Sequence, residues 1–249
     1  MIIGISGRIG SGKDTVGKII QYLEAESNKG WTPEFTLQEF LNGRDIYNMN
    51  YVKDYTESIS EDSGWQIKKF ASKIKQIVSI LTGIPVDDLE KQEVKNRALG
   101  REWCYKTKPP SYNEQFVEMT VRELLQKIGT EAMREVIHPN IWVNALFADY
   151  KPRYNSVAGE IPGKDIVYPN WIITDVRFSN EVEAIKQRGG VLWRVNRGKT
   201  LPCSAHALHP SETALDNYKE FNEVIENNGS IEELTQKIKT AFHKLKQTK

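Results

Sequence analysis

The segment from Gly7 to Lys13, Gly-Arg-Ile-Gly-Ser-Gly-Lys, has the residue types to hold a chain of phosphates. Its spacing is that of a P-loop, in which backbone N–H groups surround the phosphates and the lysine reaches the terminal ones as a point charge. A glycine-rich turn with an incidental lysine is the structural alternative. The residues predicted to bind a nucleotide cofactor are Gly7, Arg8, Gly10, Ser11, Gly12, Lys13, Asp14 and Thr15.

The position after the P-loop lysine predicts a metal ligand. It usually carries Ser or Thr, whereas this chain has Asp14 followed by Thr15. Mg²⁺ prefers oxygen ligands and usually keeps several waters. Asp14 could therefore serve it through the carboxylate, directly or through water, and Thr15 could do so through the hydroxyl.

Asp175, Arg177 and Glu181 follow the apolar run Trp171 to Thr174, which has the length and β-branching of a buried strand. In an open parallel sheet the carboxyl ends of the strands face the ligand crevice. There Asp175 could hold a metal-bound water or the attacking oxygen, and Arg177 could bind phosphate through two hydrogen bonds. The alternative is a helix-capping aspartate with a surface arginine. Lys13, Asp175 and Arg177 are the predicted catalytic residues.

A helix face that carries Arg122 and Gln126 could bind an acceptor molecule. These residues lie four positions apart, so the guanidinium and the carboxamide share one face and could contact a phosphate and a base edge together. Gly129-Thr130 and Arg134 follow in the same segment. The alternative interpretation is a solvated polar face.

Three further residues have a structural interpretation by default. Trp142 lies in an apolar helix and is either core or a wall for a base or sugar. Lys75 lies on the helix after the second predicted strand, where a surface lysine is the ordinary expectation. His209 stands near Ser211 and Glu212 and is more often structural than catalytic. The sequence contains no convincing nucleophile or zinc constellation.

Alternating strands and helices must position these residues. Ile2 to Ser6 is a β-branched apolar run and Val16 to Leu23 has helical spacing, which gives the strand, loop and helix order of a P-loop. A capping box from Thr120 to Glu123 predicts a helix to Ile128, which Gly129-Thr130 interrupts. The alternation predicts an α/β fold with a mostly parallel sheet covered on both faces. The other predicted strands are 66–70, 171–174, 191–195 and 224–225, and the other predicted helices are 37–41, 74–81, 133–136, 141–150, 181–188 and one after Ser230.

Composition argues against several classes of function. The 249 residues carry 34 Lys and Arg against 33 Asp and Glu, a net charge of +1, which does not favour a general nucleic-acid coat. No apolar run approaches the roughly 18 to 20 residues that cross a bilayer, and the start lacks the pattern of a secretory signal. Cys104 and Cys203 suit neither a disulfide framework nor paired metal ligands. We therefore expect a cytoplasmic protein without a membrane or nucleic-acid partner.

Together, these motifs resemble the deoxynucleoside monophosphate kinases of tailed bacteriophages, which belong to the P-loop nucleoside monophosphate kinases. The resemblance covers most of the chain outside residues 27–63, 87–115 and 151–170. Its ordered series of motifs is far more specific than the P-loop alone. The matching segments are 12–15, 70–75, 122–130, 141–143, 175–181, 209–212 and 225–234.

The resemblance implies transfer of the γ-phosphoryl group of ATP, with magnesium, to deoxynucleoside monophosphates for DNA precursor synthesis. It implies a three-layer P-loop kinase fold over residues 1–249, with a five-stranded sheet and with helical acceptor-binding and lid insertions. Residues 27–63, 87–115 and 151–170 are the predicted insertions or mobile loops. ATP and Mg²⁺ are the implied cofactors, at Lys13, Asp14 and Thr15. The predicted substrate-binding residues are Lys75, Arg122, Gln126, Gly129, Thr130, Trp142 and Glu181.

Two other functions remain open on the sequence. A P-loop kinase could act on another small acceptor, such as dephospho-coenzyme A or phosphomevalonate, because those families share the fold and similar loops. The chain could also be a regulatory module that binds ATP without transferring phosphate. The expected partners are small-molecule nucleotides, and the oligomeric state, including a homodimer, is open.

Overall fold

The computed structural model describes residues 1–28, 35–42, 55–106, 116–154, 166–198 and 213–247, except for the side chains of 55–58 and 154. The chain forms two compact units, one of Met1–Lys69 with Phe147–Lys249 and the other of Phe70–Leu146. Cys203, the segment from His209 to Glu212 and large parts of the three predicted insertions lie outside the described residues. Within the described ranges, no helix is both long and apolar enough to span a membrane.

The strands and helices alternate along the first unit, and helices dominate the second. The strands are β1 Ile2–Ser6, β2 Trp65–Lys68, β3 Tyr105–Lys106, β4 Phe116–Val117, β5 Arg153–Tyr154, β6 Ile166–Val167, β7 Asn170–Val176, β8 Val191–Asn196 and β9 Glu223–Glu226. The α-helices are α1 Lys13–Ser27, α2 Leu37–Asn42, α3 Tyr55–Ser63, α4 Ser72–Thr82, α5 Gln92–Lys95, α6 Val121–Gln126, α7 Ile141–Phe147, α8 Ser179–Lys186 and α9 Ile231–Gln247. Short 3₁₀ helices span Asp88–Glu90 and Arg101–Trp103, and a π-helix spans Lys127–Ile137.

The main sheet has five strands in the order β2-β7-β1-β8-β9, and every neighbouring pair is parallel. The predicted α/β class and five-stranded parallel sheet are thus confirmed. Ser6, the last residue of β1, lies opposite Val176 of β7 and Arg194 of β8. This register brings the carboxyl ends of the three inner strands together at one edge.

Helices cover both faces of this sheet. Ile3 and Ile5 pack in a core cluster with residues of α1 and α9, among them Ile19 and Ile238. A Cβ on the intervening Gly4 would meet Ile185 of α8. Because successive side chains of a strand point to opposite faces, α1 and α9 lie on one face and α8 on the other. This arrangement is the predicted three-layer architecture.

A close approach fixes α1 on the sheet next to the P-loop. A Cβ on Gly17 would lie 2.8 Å from Cγ2 of Thr174 in β7, so only glycine leaves room at this crossing. One turn further on, the Gln21 carboxamide donates a buried hydrogen bond of 2.7 Å to the Trp65 carbonyl of β2. These contacts hold the helix that begins at the P-loop lysine against the two strands beside it.

The second unit is built around a small core that α4 and α6 share. The buried apolar residues of this core are Val78, Ile84, Leu89, Val121 and Leu124. At the start of α6 the Thr120 hydroxyl accepts the Glu123 N–H at 3.2 Å, which is one half of the predicted capping box. The Glu123 carboxylate accepts a hydrogen bond from the Tyr105 hydroxyl, which links α6 to β3.

The predicted interruption at Gly129-Thr130 is wrong. α6 continues directly into the π-helix, and both residues lie inside it. Tertiary contacts outweigh the low helix propensity of glycine here, because Gly129 packs near Ile74 and its carbonyl accepts the Trp142 indole N–H.

Several predicted boundaries also differ from the structure. The second strand spans 65–68 rather than 66–70, and the helix predicted over 141–150 ends at Phe147. The stretch 151–170 contains the antiparallel pair β5 and β6 in addition to loop.

Replacing Gly17 by Val should destabilise the first unit. The added side chain would force α1 away from Thr174, and overpacking of this kind costs about 1–3 kcal/mol. The free energy of unfolding, measured in urea, should fall by about that amount. Glu26→Val on the exposed face of α1 is the matched control, because it has the β-branched side chain without the clash. Equal losses in the two variants would contradict the packing argument.

Candidate active site

The carboxyl edge of the parallel sheet gathers a group of charged residues. Lys69 follows β2, Asp175 lies in β7, and the P-loop follows β1. Arg194 lies in β8, and Asn227 follows β9. Each of the five strands therefore brings a polar or charged side chain to this edge, where the ligand crevice of an open α/β sheet is expected.

The P-loop is closed by its own hydrogen bonds. Gly10 and Gly12 have φ angles of 76° and 97°, a left-handed region that glycine occupies without strain. The Lys13 ammonium donates to the carbonyls of Gly7 at 2.7 Å and Arg8 at 2.8 Å, so the lysine folds back over the loop. Helix α1 begins at Lys13, and its first N–H groups and dipole favour an anion at this end.

The ammonium of Lys13 is buried among charged side chains of both signs. Burial lowers its pKa most, and the neighbouring Arg177 charge lowers it further. Asp14 and Asp175 act in the opposite direction, while Arg194 adds a smaller lowering effect. The result is a pKa of about 8 instead of 10.5. A phosphate chain would bring negative charge next to the buried ammonium and favour its charged form, so the site is suited to a polyanion.

Asp14 is held in place by two residues of the sheet edge. Its Oδ1 accepts the Thr174 hydroxyl at 2.5 Å and its Oδ2 pairs with the Lys69 ammonium at 3.2 Å. Burial raises its pKa, but the Lys69 charge and the Thr174 hydrogen bond outweigh it, so the pKa lies below the ordinary 3.8. Asp14 is therefore ionised at neutral pH and still 61% exposed, as a cation ligand must be.

The described residues contain no group of three or more His, Cys, Asp and Glu that could hold a metal by themselves. This finding is compatible with Mg²⁺, which proteins usually hold through one or two carboxylates together with the substrate phosphates. Asp14 and Asp175 both act on Lys13, so two carboxylates lie near the P-loop.

The segment after Asp175 is fixed by a buried carboxylate. Glu181 is 1% exposed and accepts the backbone N–H groups of Arg177 at 2.7 Å and Phe178 at 3.1 Å. Phe178 is the N-cap residue of α8. Asp175 lies three residues before it and therefore does not occupy the capping position. Glu181 thus holds the loop that carries Arg177, and its predicted substrate contact stays a prediction.

A carboxylate that the sequence did not single out links two arginines of the site. Asp216 accepts Arg8 of the P-loop at 2.7 Å and Arg194 of β8 at 2.9 Å. Burial raises the pKa of Asp216, and the hydrogen bonds from the two arginines outweigh this and bring the pKa below its usual value. Arg194 also donates to the Ser6 hydroxyl at 3.2 Å. Asp216 therefore offsets part of the positive charge near the P-loop.

In the second unit, Arg122 is oriented by two amide side chains. Its Nη2 donates to Gln92 at 2.8 Å, and both Nε and Nη2 donate to Asn96 at 3.1 and 3.0 Å. Burial lowers the pKa of this guanidinium. Both partners are neutral, so its positive charge is not cancelled by them. Gln126 lies on the same helix, as predicted.

The other predicted acceptor residues of the second unit are more enclosed. Lys75 is 7% exposed and pairs with Glu90, so its default interpretation as a surface lysine is wrong. Trp142 is buried and donates its indole N–H to the Gly129 carbonyl at 2.7 Å. Thr130 follows Gly129 in the π-helix and is half-buried. The structure thus assigns core contacts to Trp142 and Gly129, and their predicted role at the acceptor site stays a prediction.

Four residues at this edge of the sheet were not predicted from the sequence, and the local sequence patterns around them differ. Arg194 interrupts an otherwise apolar strand, Val-Leu-Trp-Arg-Val-Asn, and a charged residue in such a run can mark a site. Thr174 ends the predicted strand 171–174, so the strand end points to it. Lys69 lies inside the predicted strand 66–70 and follows β2 only in the structure. Asp216 has no such signal, because its partners are remote in the chain.

Residues 65–238, which include β2, β7, β8 and β9, match the family described as "Deoxynucleotide monophosphate kinase". This chain belongs to that family. The matched region holds Asp175, Arg177 and Arg122, whereas the P-loop precedes it. The P-loop assignment therefore rests on its own spacing and geometry.

Relatives with this kinase activity in their names come from viruses. A protein of Acanthamoeba polyphaga mimivirus, provisionally named as a deoxynucleotide monophosphate kinase, is 32% identical over 48% of this chain and 59% of its own length. The deoxynucleotide monophosphate kinase of Enterobacteria phage T4 is 28% identical over 50% of this chain and 46% of its own length. The deoxynucleoside-5'-monophosphate kinase of Escherichia phage T5 is 24% identical over 75% of this chain and 72% of its own length. The chain thus spans about half the length of the first two relatives.

The Lys13 environment can be tested without a ligand. An NMR titration of the lysine ε-carbons should give Lys13 a pKa of about 8. Arg177→Gln should raise this pKa toward 10.5, because Arg177 is the charge that lowers it most. Arg194→Gln is the matched control, since its effect is the smallest, and should raise the pKa less. An unchanged Lys13 pKa in Arg177→Gln would contradict the proposed electrostatics.

Proposed function

We propose that this chain transfers the γ-phosphoryl group of ATP to a deoxynucleoside monophosphate. The observation that carries the proposal is the P-loop with Lys13 at the carboxyl edge of a parallel sheet, where burial and the Arg177 charge lower the pKa of this lysine. A polyanion such as ATP would stabilise the buried ammonium and the neighbouring guanidinium. The family match supports phosphoryl transfer to a nucleotide as the reaction.

The donor site would be formed by the first unit alone. The N–H groups of the P-loop and of the first turn of α1 would bind the phosphates, and Lys13 would leave its carbonyl partners for the terminal ones. Asp14 and Thr15 would hold Mg²⁺, with Asp14 kept ionised and oriented by Lys69 and Thr174. When bound, the ion neutralises charge on the phosphates.

The transferring group would be stabilised mainly by fixed positive charge. Phosphoryl transfer needs positioning and charge stabilisation rather than a covalent intermediate. Arg177, held in place through the Glu181 carboxylate, and Lys13 would contact the transferring oxygens. Asp175 would accept a hydrogen bond from the acceptor or from a water and orient it. Binding of phosphates would raise the pKa of Lys13 again, so the lysine stays charged through the reaction.

The acceptor would be bound by residues of the second unit. Arg122 carries an uncancelled charge and keeps its orientation through Gln92 and Asn96. Among the described residues nothing accepts from its Nη1, so this nitrogen can donate to an acceptor phosphate. Gln126, one turn further along, would contact the base or sugar. Because the named relatives are viral proteins, we place this reaction in the cytoplasm of an infected host.

Replacing the charged residues near the P-loop should strongly reduce turnover. Lys13→Met and Asp175→Asn should each lower kcat by about 10²-fold or more, as is typical when one charge-stabilising contact is removed. Acceptor-dependent ADP formation from ATP and Mg²⁺ measures this loss. Lys18→Met, on the same helix, is the control and should keep its activity, since Lys18 lies over the Phe40 ring instead. A folded Lys13→Met protein with full activity would disprove the assignment.

Replacing Arg122 should act on the acceptor. Arg122→Ala should raise the KM for the acceptor nucleotide by about 10-fold or more, because a charge-assisted contact is lost, while the KM for ATP stays close to that of the original chain. Arg122→Lys should also have a raised KM for the acceptor nucleotide, since lysine cannot form the same fork of hydrogen bonds. Arg97→Ala, an exposed arginine near Asn96, is the control.

An acceptor panel separates this function from its rivals. The four common deoxynucleoside monophosphates, their ribose counterparts, dephospho-coenzyme A and phosphomevalonate are each tested with labelled ATP. Phosphorylation of a deoxynucleoside monophosphate supports the proposal. Phosphorylation of only one of the other acceptors would show instead a P-loop kinase for that acceptor. ATP binding without acceptor-dependent ADP release would show instead a regulatory module.

A further inference from the structure

Asn227 contacts the P-loop directly, although it is 216 residues away from Ser11 in the chain. Its side-chain Nδ2 donates a buried hydrogen bond of 2.8 Å to the Ser11 carbonyl. Asn227 is 9% exposed, so this bond is shielded from water. Only the amide nitrogen can donate to a carbonyl, and the opposite orientation would place two oxygens against each other. The contact therefore has a defined direction.

The backbone of Asn227 is itself firmly held. Its N–H donates to the Asn196 carbonyl at the end of β8 at 2.8 Å. The carbonyl of the preceding Glu226 accepts the Lys237 ammonium of α9 at 2.6 Å. Asn227 thus presents its carboxamide from the rigid end of the sheet rather than from a mobile loop.

The hydrogen bond fixes the orientation of one peptide group of the P-loop. The Ser11 carbonyl and the Gly12 N–H belong to the same planar peptide, and no peptide bond in the described chain is cis. In a trans peptide these two groups point in opposite directions. Because Asn227 holds the Ser11 carbonyl, the Gly12 N–H is directed to the opposite side of the peptide, away from Asn227.

Gly12 is adapted to this contact. It has a left-handed φ of 97°, and a Cβ at this position would lie 2.5 Å from Nδ2 of Asn227. Glycine is therefore required here both by its backbone conformation and by the approach of the asparagine. Gly12 and Asn227 therefore form one structural unit.

We propose that Asn227 is a positioning residue for the donor nucleotide, which it serves by turning the Gly12 N–H toward the phosphates of ATP. This inference rests on the proposed function in one respect, namely that the P-loop binds the phosphates of ATP. Asn227 itself does not contact the nucleotide in this arrangement. Its effect is exerted through the Ser11–Gly12 peptide.

Asn227→Ala tests the inference through binding. The Kd of ATP with Mg²⁺, measured by calorimetry without acceptor, should rise about 10-fold, the size expected for loss of one oriented hydrogen bond to a charged group. In the kinase assay the KM for ATP should rise in parallel, while the KM for the acceptor stays within about twofold of its original value. A purely structural role would lower stability and leave these constants unchanged.

Asn228→Ala is the matched control. Asn228 is the neighbouring asparagine, and its side chain accepts the Gly198 N–H at 2.5 Å instead of bonding the P-loop. This variant should bind ATP with a Kd within about twofold of the original chain. Equal Kd values for ATP in folded Asn227→Ala and Asn228→Ala would overturn the inference.

A second variant and a measurement on the unaltered chain cover the case in which Asn227→Ala does not fold. Asn227→Asp keeps the size of the side chain but places an anionic oxygen against the Ser11 carbonyl, so its ATP affinity should fall further. In the ¹⁵N-labelled original chain, the Gly12 amide resonance should shift when ATP is added, and an unshifted Gly12 resonance in the bound state would overturn the inference.

The two proposals fail in different ways. An original chain that binds ATP but transfers no phosphoryl group overturns the proposed function and leaves Asn227 to be judged by the Kd values. An active original chain whose Asn227→Ala and Asn227→Asp variants bind ATP normally overturns only the inference about Asn227. A chain that does not bind ATP overturns both.

Discussion

Burial of the Lys13 ammonium next to other cations is the physical constraint on which the arrangement of the first unit depends. Burial and the Arg177 charge lower the pKa of this lysine to about 8, and Arg194 contributes as well. Such a group of charges is costly to hold without an anion, since each buried cation needs a partner. The fold offsets part of this cost through Asp216, which binds Arg8 and Arg194, and through Asp14 and Asp175. What remains is a positive site suited to a phosphate chain.

The parallel register of the sheet brings these charges together. Because Ser6 lies opposite both Val176 and Arg194, the loops that follow the inner strands emerge at the same edge. Hydrogen bonds then set individual orientations: Thr174 holds Asp14, Glu181 holds the Arg177 segment, and Asn227 holds the Ser11 carbonyl. The residues that position the site are thus as widely distributed in the chain as those that we propose to act on the substrate.

The second unit follows a different principle. Arg122 is held by neutral amides, which orient a guanidinium without cancelling its charge. Lys75, by contrast, is buried and paired with Glu90. The Trp142 indole uses a carbonyl of the π-helix, and buried tryptophan N–H groups usually require such a partner. Arg122 therefore keeps its charge in a fixed orientation, whereas Trp142 contributes to the packing of the unit.

The sequence by itself determined the features that depend on local signals. The P-loop between a strand and a helix, the placement of Asp175 and Arg177 at the carboxyl end of an apolar strand, and the five-stranded parallel sheet could all be predicted, because spacing and periodicity specify them. Tertiary structure decided the pairing of Arg8 with Asp216, the contact of Asn227 with the P-loop, the burial of Lys75 and the uninterrupted helix through Gly129. Arg8 and Asp216 are 208 residues apart, and Asn227 and Ser11 are 216 apart. No local pattern can encode such pairs, since they form only when the parallel strands bring remote segments to the same edge of the sheet.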